Sequence, residues 1–309
     1  MTTDSVTRFR RFSRAVTSEV GALDASFLGR GRPLGSARVL NAIGRGRREV
    51  GEIRDYLGLD SGLMSRLLRG LEAEGLVELA RHPGDARRRI ARLTAAGERE
   101  FRTYERLSNA RALRLLERHP RREALLEAMD LVATALTRDR IVLVEADPAG
   151  DAAGHCLAAY YAELARRFPA GFEVARSRNP EAAEMSPPRG SFIVAWSDEL
   201  PVGCVGLKGT GGPVAEVKRL WVAPAARGLG LARRLMAEVE AVARRLSITT
   251  LRLDTNRALP EAARLYCGSG WQEIPRFNDD PYAEVFFEKS IAPEEARPPG
   301  DGGRKEETS

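Results

Sequence analysis

The chain has 309 residues, of which 43% are apolar and 30% charged, so it has the composition of a folded protein and room for two ordinary domains. It contains no run of about 18 apolar residues, which excludes a membrane span. The charged N-terminus has no apolar core of the signal-peptide type, so we expect a cytoplasmic protein.

Charge divides the sequence unevenly. Residues 1–140 contain 28 arginines and 19 acidic residues, a net charge of +9, whereas the rest has 21 basic and 24 acidic residues, a net charge of −3. A basic half beside a mildly acidic one predicts that the first half binds a polyanion. Only four basic residues are lysines, so coding bias also contributes to the arginine content.

Cysteine and histidine are too sparse to predict a disulfide framework or a metal site. The three cysteines are Cys156, Cys204 and Cys267, and the three histidines are equally scattered along the chain. We therefore interpret all six residues as core or surface positions without a special role.

Apolar periodicity predicts helices around a short hairpin in the first half. The predicted helices cover residues 5–22, 49–59, 61–74 and 94–136, the last interrupted at Pro120. Two alternating segments, 76–81 and 88–93, flank the turn-forming run His82-Pro83-Gly84-Asp85 and predict a β-hairpin.

The second half alternates strand and helix patterns, which is typical of an α/β domain. The predicted strands cover residues 191–196, 201–207, 215–222, 249–253 and 283–289, with a further strand-like run from 141, and the predicted helices cover residues 156–168, 230–246 and 260–269. We therefore expect a domain of residues 1–140, a second of residues 141–291, and a disordered tail of residues 292–309, which is rich in Pro, Gly and charge.

The helix predicted at 61–74 has the properties of a DNA recognition helix. Its leucines define a buried side, and its other face offers short and basic residues that suit the major groove: Ser61, Gly62, Ser65, Arg66 and Arg69. In the hairpin, Arg87, Arg88 and Arg89 are expected at a projecting tip that reaches phosphate or minor groove. The alternative is an ordinary solvated helix face or a winged helix that makes only protein contacts.

These segments resemble the MarR family of winged-helix regulators. The resemblance rests on EVGEIRDYLGLDSGLMSRLLRGLEAEGLVEL and on the later HPGDARRRIARLTAAG, with Asp85, Arg87, Leu93, Thr94 and Gly97 at the family's wing positions. It implies a mainly α winged helix-turn-helix domain that binds double-stranded DNA. It also implies a homodimer formed through residues 5–22 and 98–138, with a palindromic site.

A glycine-rich turn joins a strand to a long helix in AEVKRLWVAPAARGLGLA, residues 215–232. Such a turn lets backbone N–H groups surround phosphate oxygens, and the helix N-terminus adds a favourable dipole. The segment lacks the Gly-Lys-Ser/Thr ending of a P-loop and the three spaced glycines of the Rossmann fingerprint.

With its flanks, this segment resembles the GNAT superfamily of N-acetyltransferases over about residues 141–290. Arg227, Gly230 and Ala232 match the family's Arg/Gln-x-x-Gly-x-Gly/Ala motif, and Ala263-Arg264-Leu265-Tyr266 follows at the expected place. The resemblance implies an α/β acyltransferase fold with acetyl-CoA as cosubstrate. The positions it assigns to acetyl-CoA are Leu220, Trp221, Val222, Arg227, Gly228, Leu229, Gly230, Leu231 and Ala232.

The same resemblance gives two candidate catalytic residues. Glu216 is the candidate base that deprotonates the amine, and Tyr266 is the candidate acid for the leaving thiolate. A strand carboxylate paired with Lys218 is the alternative for Glu216, and helix packing is the alternative for Tyr266. The family's Asn six residues before the Tyr is replaced here by Pro260.

A loop at 277–282 precedes the last strand, near the acceptor pocket by family analogy. Its Asp279 and Asp280 either attract a cationic amine or serve only as turn residues. Together these features predict a regulator fused to an N-acetyltransferase that acts on a small amine or amino-acid-like acceptor. The alternatives are a regulator with a non-catalytic acyl-CoA sensor, or a protein acetyltransferase.

Overall fold

The computed structural model describes residues 3–169, 171–177 and 182–291. Residue contacts divide the chain into two compact units, Met1–Arg122 and Glu123–Ser309. The boundary predicted near residue 140 lies further along the chain and stays a prediction, and the predicted tail 292–309 lies outside the described residues. Within the described part, no helix is long and apolar enough to cross a membrane.

The first unit is mainly helical. Its elements are α1 (Thr3–Glu19), α2 (Leu34–Gly44), α3 (Val50–Leu57), α4 (Ser61–Ala73), β1 (Val77–His82), β2 (Asp85–Leu93) and α5 (Ala95–Glu117). Gly58, in the left-handed region at φ +64°, ends α3, and the Asp60 side chain accepts the Leu63 N–H at 2.8 Å to begin α4. The predicted helix, turn, helix and hairpin are therefore confirmed.

Helix α5 is fixed to the hairpin at its first turn. Thr94 caps the helix by accepting the Gly97 N–H at 3.0 Å, and its own N–H donates to the Leu76 carbonyl at 3.1 Å. A Cβ on Gly97 would lie 2.0 Å from that carbonyl oxygen. The helix therefore approaches the residue just before strand β1 at a distance that only glycine permits.

The second unit is a seven-stranded sheet with helices on both faces. Its elements are α6 (Arg122–Thr137), β3 (Val142–Glu145), α7 (Asp151–Arg167), β4 (Ser191–Ser197), β5 (Leu200–Gly209), β6 (Val214–Val222), α8 (Leu231–Arg245), β7 (Thr250–Thr255), α9 (Pro260–Cys267), β8 (Gln272–Ile274) and β9 (Val285–Ser290). In the described part of the chain the strand order is β3-β4-β5-β6-β7-β9-β8, and β6 and β7 are its only parallel pair.

Two apolar clusters cover the sheet. One joins α8 to the core around Leu207, Val217 and Leu251, and the other joins α7 to the face around Phe192 and Trp221. The described residues confirm the predicted mixed α/β domain. The short strand β8 was not predicted, because its three residues give no periodicity to detect.

Candidate functional site

A β-bulge lies in the middle of β6. Trp221 pairs with Cys204 and Lys218 pairs with Gly206, so Arg219 and Leu220 together face the single residue Val205. Arg219 occupies the left-handed region at φ +61°, which is uncommon for a residue other than glycine. A bulge bends its strand and reverses which face the following side chains point to.

Strands β6 and β7 separate before this bulge. Their pairing covers only residues 214–216 of β6 and 250–252 of β7. Two adjoining cavities open along the unpaired part, and both are lined by Tyr160, Leu164, Leu220, Leu259 and Ala262. The unpaired edge of β6 includes Leu220 and Val222, two of the positions that the resemblance assigns to acetyl-CoA.

The larger cavity, of about 490 Å³, has mostly apolar walls and a basic rim. Among the described residues, the lining has two more positive than negative side chains, namely Arg167, Arg227, Arg233 and Arg264 against Glu163 and Glu261. Of the nine predicted acetyl-CoA positions, every one except Leu229 is among its lining residues in the described part of the chain. Apolar walls and excess positive charge suit a ligand with an apolar arm and phosphates.

The predicted glycine turn forms the wall where α8 begins. Gly228 and Gly230 both have φ +77°, and a Cβ on either would meet no atom within 4 Å. Glycine is therefore required here by backbone conformation and not by crowding. Helix α8 starts at Leu231, so its first-turn N–H groups lie beside the cavity, as an anion site requires.

Glu163 connects three parts of the larger cavity. Its carboxylate accepts from Trp221 Nε1 at 3.2 Å, from Arg227 Nη2 at 2.5 Å and from Arg167 Nη1 at 3.3 Å. Arg167 also bonds the Ala258 carbonyl and Glu261, which links α7 to α9. Sequence reasoning missed this network, because only the helical spacing of Glu163 and Arg167 was visible.

The smaller cavity, of about 90 Å³, lies between the separated strands. One wall is aromatic, with the Phe172 and Tyr282 ring centroids 4.7 Å apart and Phe168 beside them. Its charged lining residues, among those that the structure describes, are Lys218, Arg219, Asp254 and Asp280. The sequence placed Tyr282 in the loop 277–282, but Phe168 and Phe172 had no predicted role, because the three rings meet only in the folded chain.

Asp279 and Asp280 differ in their surroundings. Asp279 is exposed, whereas Asp280 is buried and accepts the Tyr282 N–H and the Ser177 hydroxyl, each at 2.9 Å. Asn256, near the replaced family asparagine, donates to the Tyr282 carbonyl at 2.8 Å. The loop therefore holds one carboxylate at the smaller cavity and leaves the other in solvent.

Glu216 lies in the part of β6 that is still paired with β7, and it is not among the described residues that line either cavity. Its carboxylate forms ion pairs with Lys208 and Lys218, each at 3.2 Å. Burial alone would raise the pKa of this carboxyl, but the two lysines outweigh it and lower the pKa. Lys218 also bonds Asp254, which connects Glu216 to the smaller cavity.

Tyr266 lines the smaller cavity from helix α9. Its ring lies 6.0 Å from that of Trp271 and 5.6 Å from that of Phe287, and burial raises the pKa of the phenol above its ordinary value. Tyr160, which lines both cavities, has its pKa raised for the same reason. Both phenols are therefore protonated at neutral pH.

The recognition-helix residues lie on the exposed side of α4. Met64, Leu68 and Leu71 are buried on its other side. The exposed set comprises Ser61, Gly62, Ser65, Arg66 and Arg69. The amphipathic arrangement agrees with the sequence pattern, and the DNA contact itself stays a prediction.

Arg87, Arg88 and Arg89 follow the turn of the hairpin on strand β2, which begins at Asp85. Arg89 pairs with Arg81 and Asp85 pairs with His82, so Arg87 and Arg88 lie in an irregular part of the strand next to the turn. Their contact with DNA stays a prediction. Arg88 forms an ion pair with Glu49 at the start of α3. A groove of about 520 Å³ is lined by these arginines and by Ser61 and Ser65 of α4.

Helix α1 presents apolar side chains to solvent, as the predicted dimer would require. Val6, Phe9, Phe12 and Val16 are each at least 40% exposed. Helices α5 and α6 also expose leucines, among them Leu113 and Leu131. Pairing through residues 5–22 and 98–138 stays a prediction.

Comparison with known proteins identifies two families in the chain. Residues 157–269 match the acetyltransferase (GNAT) family, and residues 30–88 match the MarR family. An IAA acetyltransferase of Azospirillum brasilense is 34% identical over 104 residues, which cover 32% of this chain and 67% of the relative.

Further similarities are partial. An uncharacterized N-acetyltransferase of Schizosaccharomyces pombe is 34% identical over 103 residues. The match covers 33% of this chain, and the chain spans 63% of the length of that relative. A GNAT-family acetyltransferase structure from Staphylococcus aureus covers 49% of this chain and 99% of its own, with 17% identity and a TM-score of 0.43. The structure of Streptococcus pneumoniae FabT in complex with DNA covers 44% of this chain and 98% of its own, with 16% identity and a TM-score of 0.37.

Proposed function

Because the chain belongs to the GNAT acetyltransferase family and also carries a MarR-family region, we propose that it is a DNA-binding transcriptional regulator and an acetyl-CoA-dependent N-acetyltransferase in one polypeptide. The acceptor in this proposal is a small amine or an amino-acid-like molecule. The observation that carries the enzyme half is the glycine turn at Gly228 and Gly230, which opens α8 onto the basic larger cavity.

Each part of the cleft suits one part of acetyl-CoA. Backbone N–H groups from Arg227 to Ala232 and the α8 dipole hold the pyrophosphate. The unpaired edge of β6 at Leu220 and Val222 binds the pantetheine arm, and one of these amides polarises the thioester carbonyl. Acetyl-CoA supplies the activated acyl group when bound.

The transfer needs one proton to leave the amine and one to reach sulfur. The amine nitrogen forms a bond to the acyl carbon, and the bond from that carbon to sulfur breaks. Glu216, ionised at neutral pH, takes the amine proton through water, since it does not line the cavity. Tyr266, held protonated by burial, protonates the CoA thiolate.

The first unit supplies DNA binding. A two-fold dimer presents Ser61, Ser65, Arg66 and Arg69 of each α4 to the major groove, and the strand arginines Arg87 and Arg89 lie beside that helix in the same groove of the protein. Arg88 reaches phosphate only after leaving Glu49. Because arginine–phosphate contacts dominate such binding, affinity falls steeply with salt.

The test measures free CoA released from acetyl-CoA by the whole chain, with pools of amino acids, polyamines and aminoglycosides. Glu216→Gln is compared with Glu273→Gln, which changes an exposed glutamate on β8. We expect turnover with one pool, depressed by the first substitution only. Binding of acetyl-CoA without turnover would instead indicate an acyl-CoA sensor, and transfer only into protein would indicate a protein acetyltransferase.

A further inference from the structure

Among the residues that the structure describes, one polar side chain lines both cavities. The shared lining residues are Leu164, Leu220, Leu259, Ala262 and Tyr160 of helix α7. The first four have apolar side chains, so within this described set the Tyr160 hydroxyl is the only side-chain hydrogen-bond donor common to the two cavities. If the larger cavity binds CoA and the smaller one admits the amine, the acyl group lies where this donor lies.

The hydroxyl of Tyr160 has no partner in the described part of the chain. It forms no hydrogen bond there, and its ring contacts that of Tyr161 with 5.5 Å between the centroids. Burial raises the pKa of the phenol, so the group keeps its proton at neutral pH. Because hydroxyls removed from water are normally hydrogen-bonded, an unpaired phenol that lines a cavity indicates an acceptor on a ligand.

Electrostatic neighbours place this phenol beside the smaller cavity. After burial, which is the largest cause, Arg219 lowers the pKa of Tyr160 and Asp254 raises it, and both residues line that cavity. Tyr266 lines the same cavity from α9, and its pKa is raised by burial first and then by Tyr160. Two protonated phenols from different helices therefore line one cavity and interact with each other.

The two phenols differ in how far they reach. Tyr266 packs among aromatic rings and, of the two cavities, lines only the smaller in the described structure, whereas Tyr160 also lines the larger. Leu220 and Val222 line the larger cavity too, and they belong to the unpaired edge of β6. Tyr160 and the backbone of this edge are therefore two sources of donors for one acceptor atom, as in sites that stabilise an oxyanion.

We propose that Tyr160 is a catalytic residue that donates a hydrogen bond to the carbonyl oxygen of the acyl thioester, an inference that rests on the proposed acetyltransferase function. As the amine nitrogen bonds to the acyl carbon, the carbonyl electron pair moves onto oxygen, where the Tyr160 hydroxyl and a β6 amide stabilise the negative charge. The pair returns as the carbon–sulfur bond breaks, and Tyr160 keeps its proton throughout. The proton that the amine loses to Glu216 is balanced by the proton that sulfur gains from Tyr266.

The first measurement is the infrared spectrum of the thioester carbonyl bound to the full chain. Acetyl-CoA with an isotopic label at the carbonyl carbon is added without an acceptor, and subtraction of the unlabelled spectrum isolates the carbonyl band. A hydrogen bond weakens the C=O bond and lowers its stretching frequency. We expect this frequency to rise in Tyr160→Phe and to stay in place in Tyr266→Phe and Tyr161→Phe.

The three variants each remove one hydroxyl and keep the ring, so the packing is preserved. Tyr161 is the matched control, because it follows Tyr160 on α7 and is not among the described residues that line either cavity. Calorimetric titration with CoA and thermal melting are run on every variant. Tyr160→Phe should leave the affinity for CoA unchanged, because CoA itself has no thioester carbonyl.

The second measurement is turnover of acetyl-CoA with the pool of amino acids, polyamines or aminoglycosides that the unchanged chain uses. Tyr160→Phe should lower kcat about 100-fold, as expected for the loss of one oxyanion donor, and should change KM for acetyl-CoA less than about threefold. A hydrogen bond that strengthens as charge develops acts on kcat, whereas phenylalanine would preserve a packing role. Tyr161→Phe should leave both constants unchanged.

A carbonyl band that stays in place in Tyr160→Phe, or a kcat within about threefold of the unchanged chain, would overturn the role of Tyr160 and leave the acetyltransferase function standing. Acetyl-CoA that binds without turnover in any pool would count against the acetyltransferase function itself, and with it against a catalytic role for Tyr160. The melting data separate both results from misfolding.

Discussion

Replacing Gly97 by alanine tests how the first unit is held together. A Cβ at this position would lie 2.0 Å from the Leu76 carbonyl oxygen and 3.3 Å from the Leu93 Cβ. The oxygen cannot retreat freely, because it accepts the Thr94 N–H at 3.1 Å. Overpacking costs about 1–3 kcal/mol, a weakened hydrogen bond adds about 1 kcal/mol, and alanine returns up to about 1 kcal/mol of helix propensity. We expect a net loss of about 1–3 kcal/mol.

The matched control is Gly70→Ala in helix α4. A Cβ there meets no atom within 4 Å, so the same chemical change should stabilise the unit by about 0.5–1 kcal/mol. The two substitutions should therefore change the free energy of unfolding in opposite directions, although both exchange a helical glycine for alanine.

The assay uses the distribution of tryptophan. All three tryptophans, Trp196, Trp221 and Trp271, lie in the second unit, whereas far-ultraviolet circular dichroism reports the helices of both. Gly97→Ala should move the first-unit part of the dichroism transition to lower urea by about 1–2 M, and the tryptophan fluorescence transition should stay in place. A shift below about 0.3 M, or a variant as stable as Gly70→Ala, would refute the close approach of α5 to β1.

Three further predictions concern the candidate sites. Gly230→Ala should weaken CoA binding about tenfold by calorimetry, because φ +77° disfavours a side chain. The control Gly212→Ala, at an exposed turn, should leave the affinity for CoA unchanged. Equal CoA affinities of the two variants would contradict the assignment of the Gly228–Gly230 turn to CoA. Arg66→Ala should weaken binding to duplex DNA and reduce the slope of log affinity against log salt concentration by about 1. An unchanged slope would show that Arg66 does not contact DNA phosphate. The pKa of Glu216 is lowered on folding, so its ion pairs stabilise the protein above the ordinary carboxyl pKa of 4.5 and are lost as pH falls through the lowered value. Glu216→Gln should therefore lower the urea midpoint of the fluorescence transition at pH 7 and leave it unchanged in acid. A lowered midpoint that persists in acid would contradict the ion pairs of Glu216 with the two lysines.

Local features of the sequence predicted the fold and one wall of the cleft. Turn residues and periodicity act over a few positions, so the recognition helix, the hairpin and the Gly228–Gly230 turn could all be identified. The register at the end of the hairpin could not be predicted in the same way. A run of three arginines does not disclose that Arg87 and Arg88 lie between the paired residues Asp85 and Arg89 in an irregular part of β2.

Most of the smaller cavity and the surroundings of Glu216 could not be predicted, because both are built from distant parts of the chain. Lys208 of β5 changes the environment of Glu216, and Tyr282 meets Phe172 across more than a hundred residues. The bulge at Arg219 depends on the register between β5 and β6. Periodicity within one strand carries no information about such a register.

The most direct test of the acetyltransferase proposal is the stoichiometry of a single reaction of the full chain with acetyl-CoA and an amino acid. We predict that acetylated amine and free CoA appear in equal amounts by mass spectrometry, and that Gly230→Ala slows both together. Acetyl-CoA that binds and is recovered intact, with no acetylated amine from any acceptor, would contradict the account.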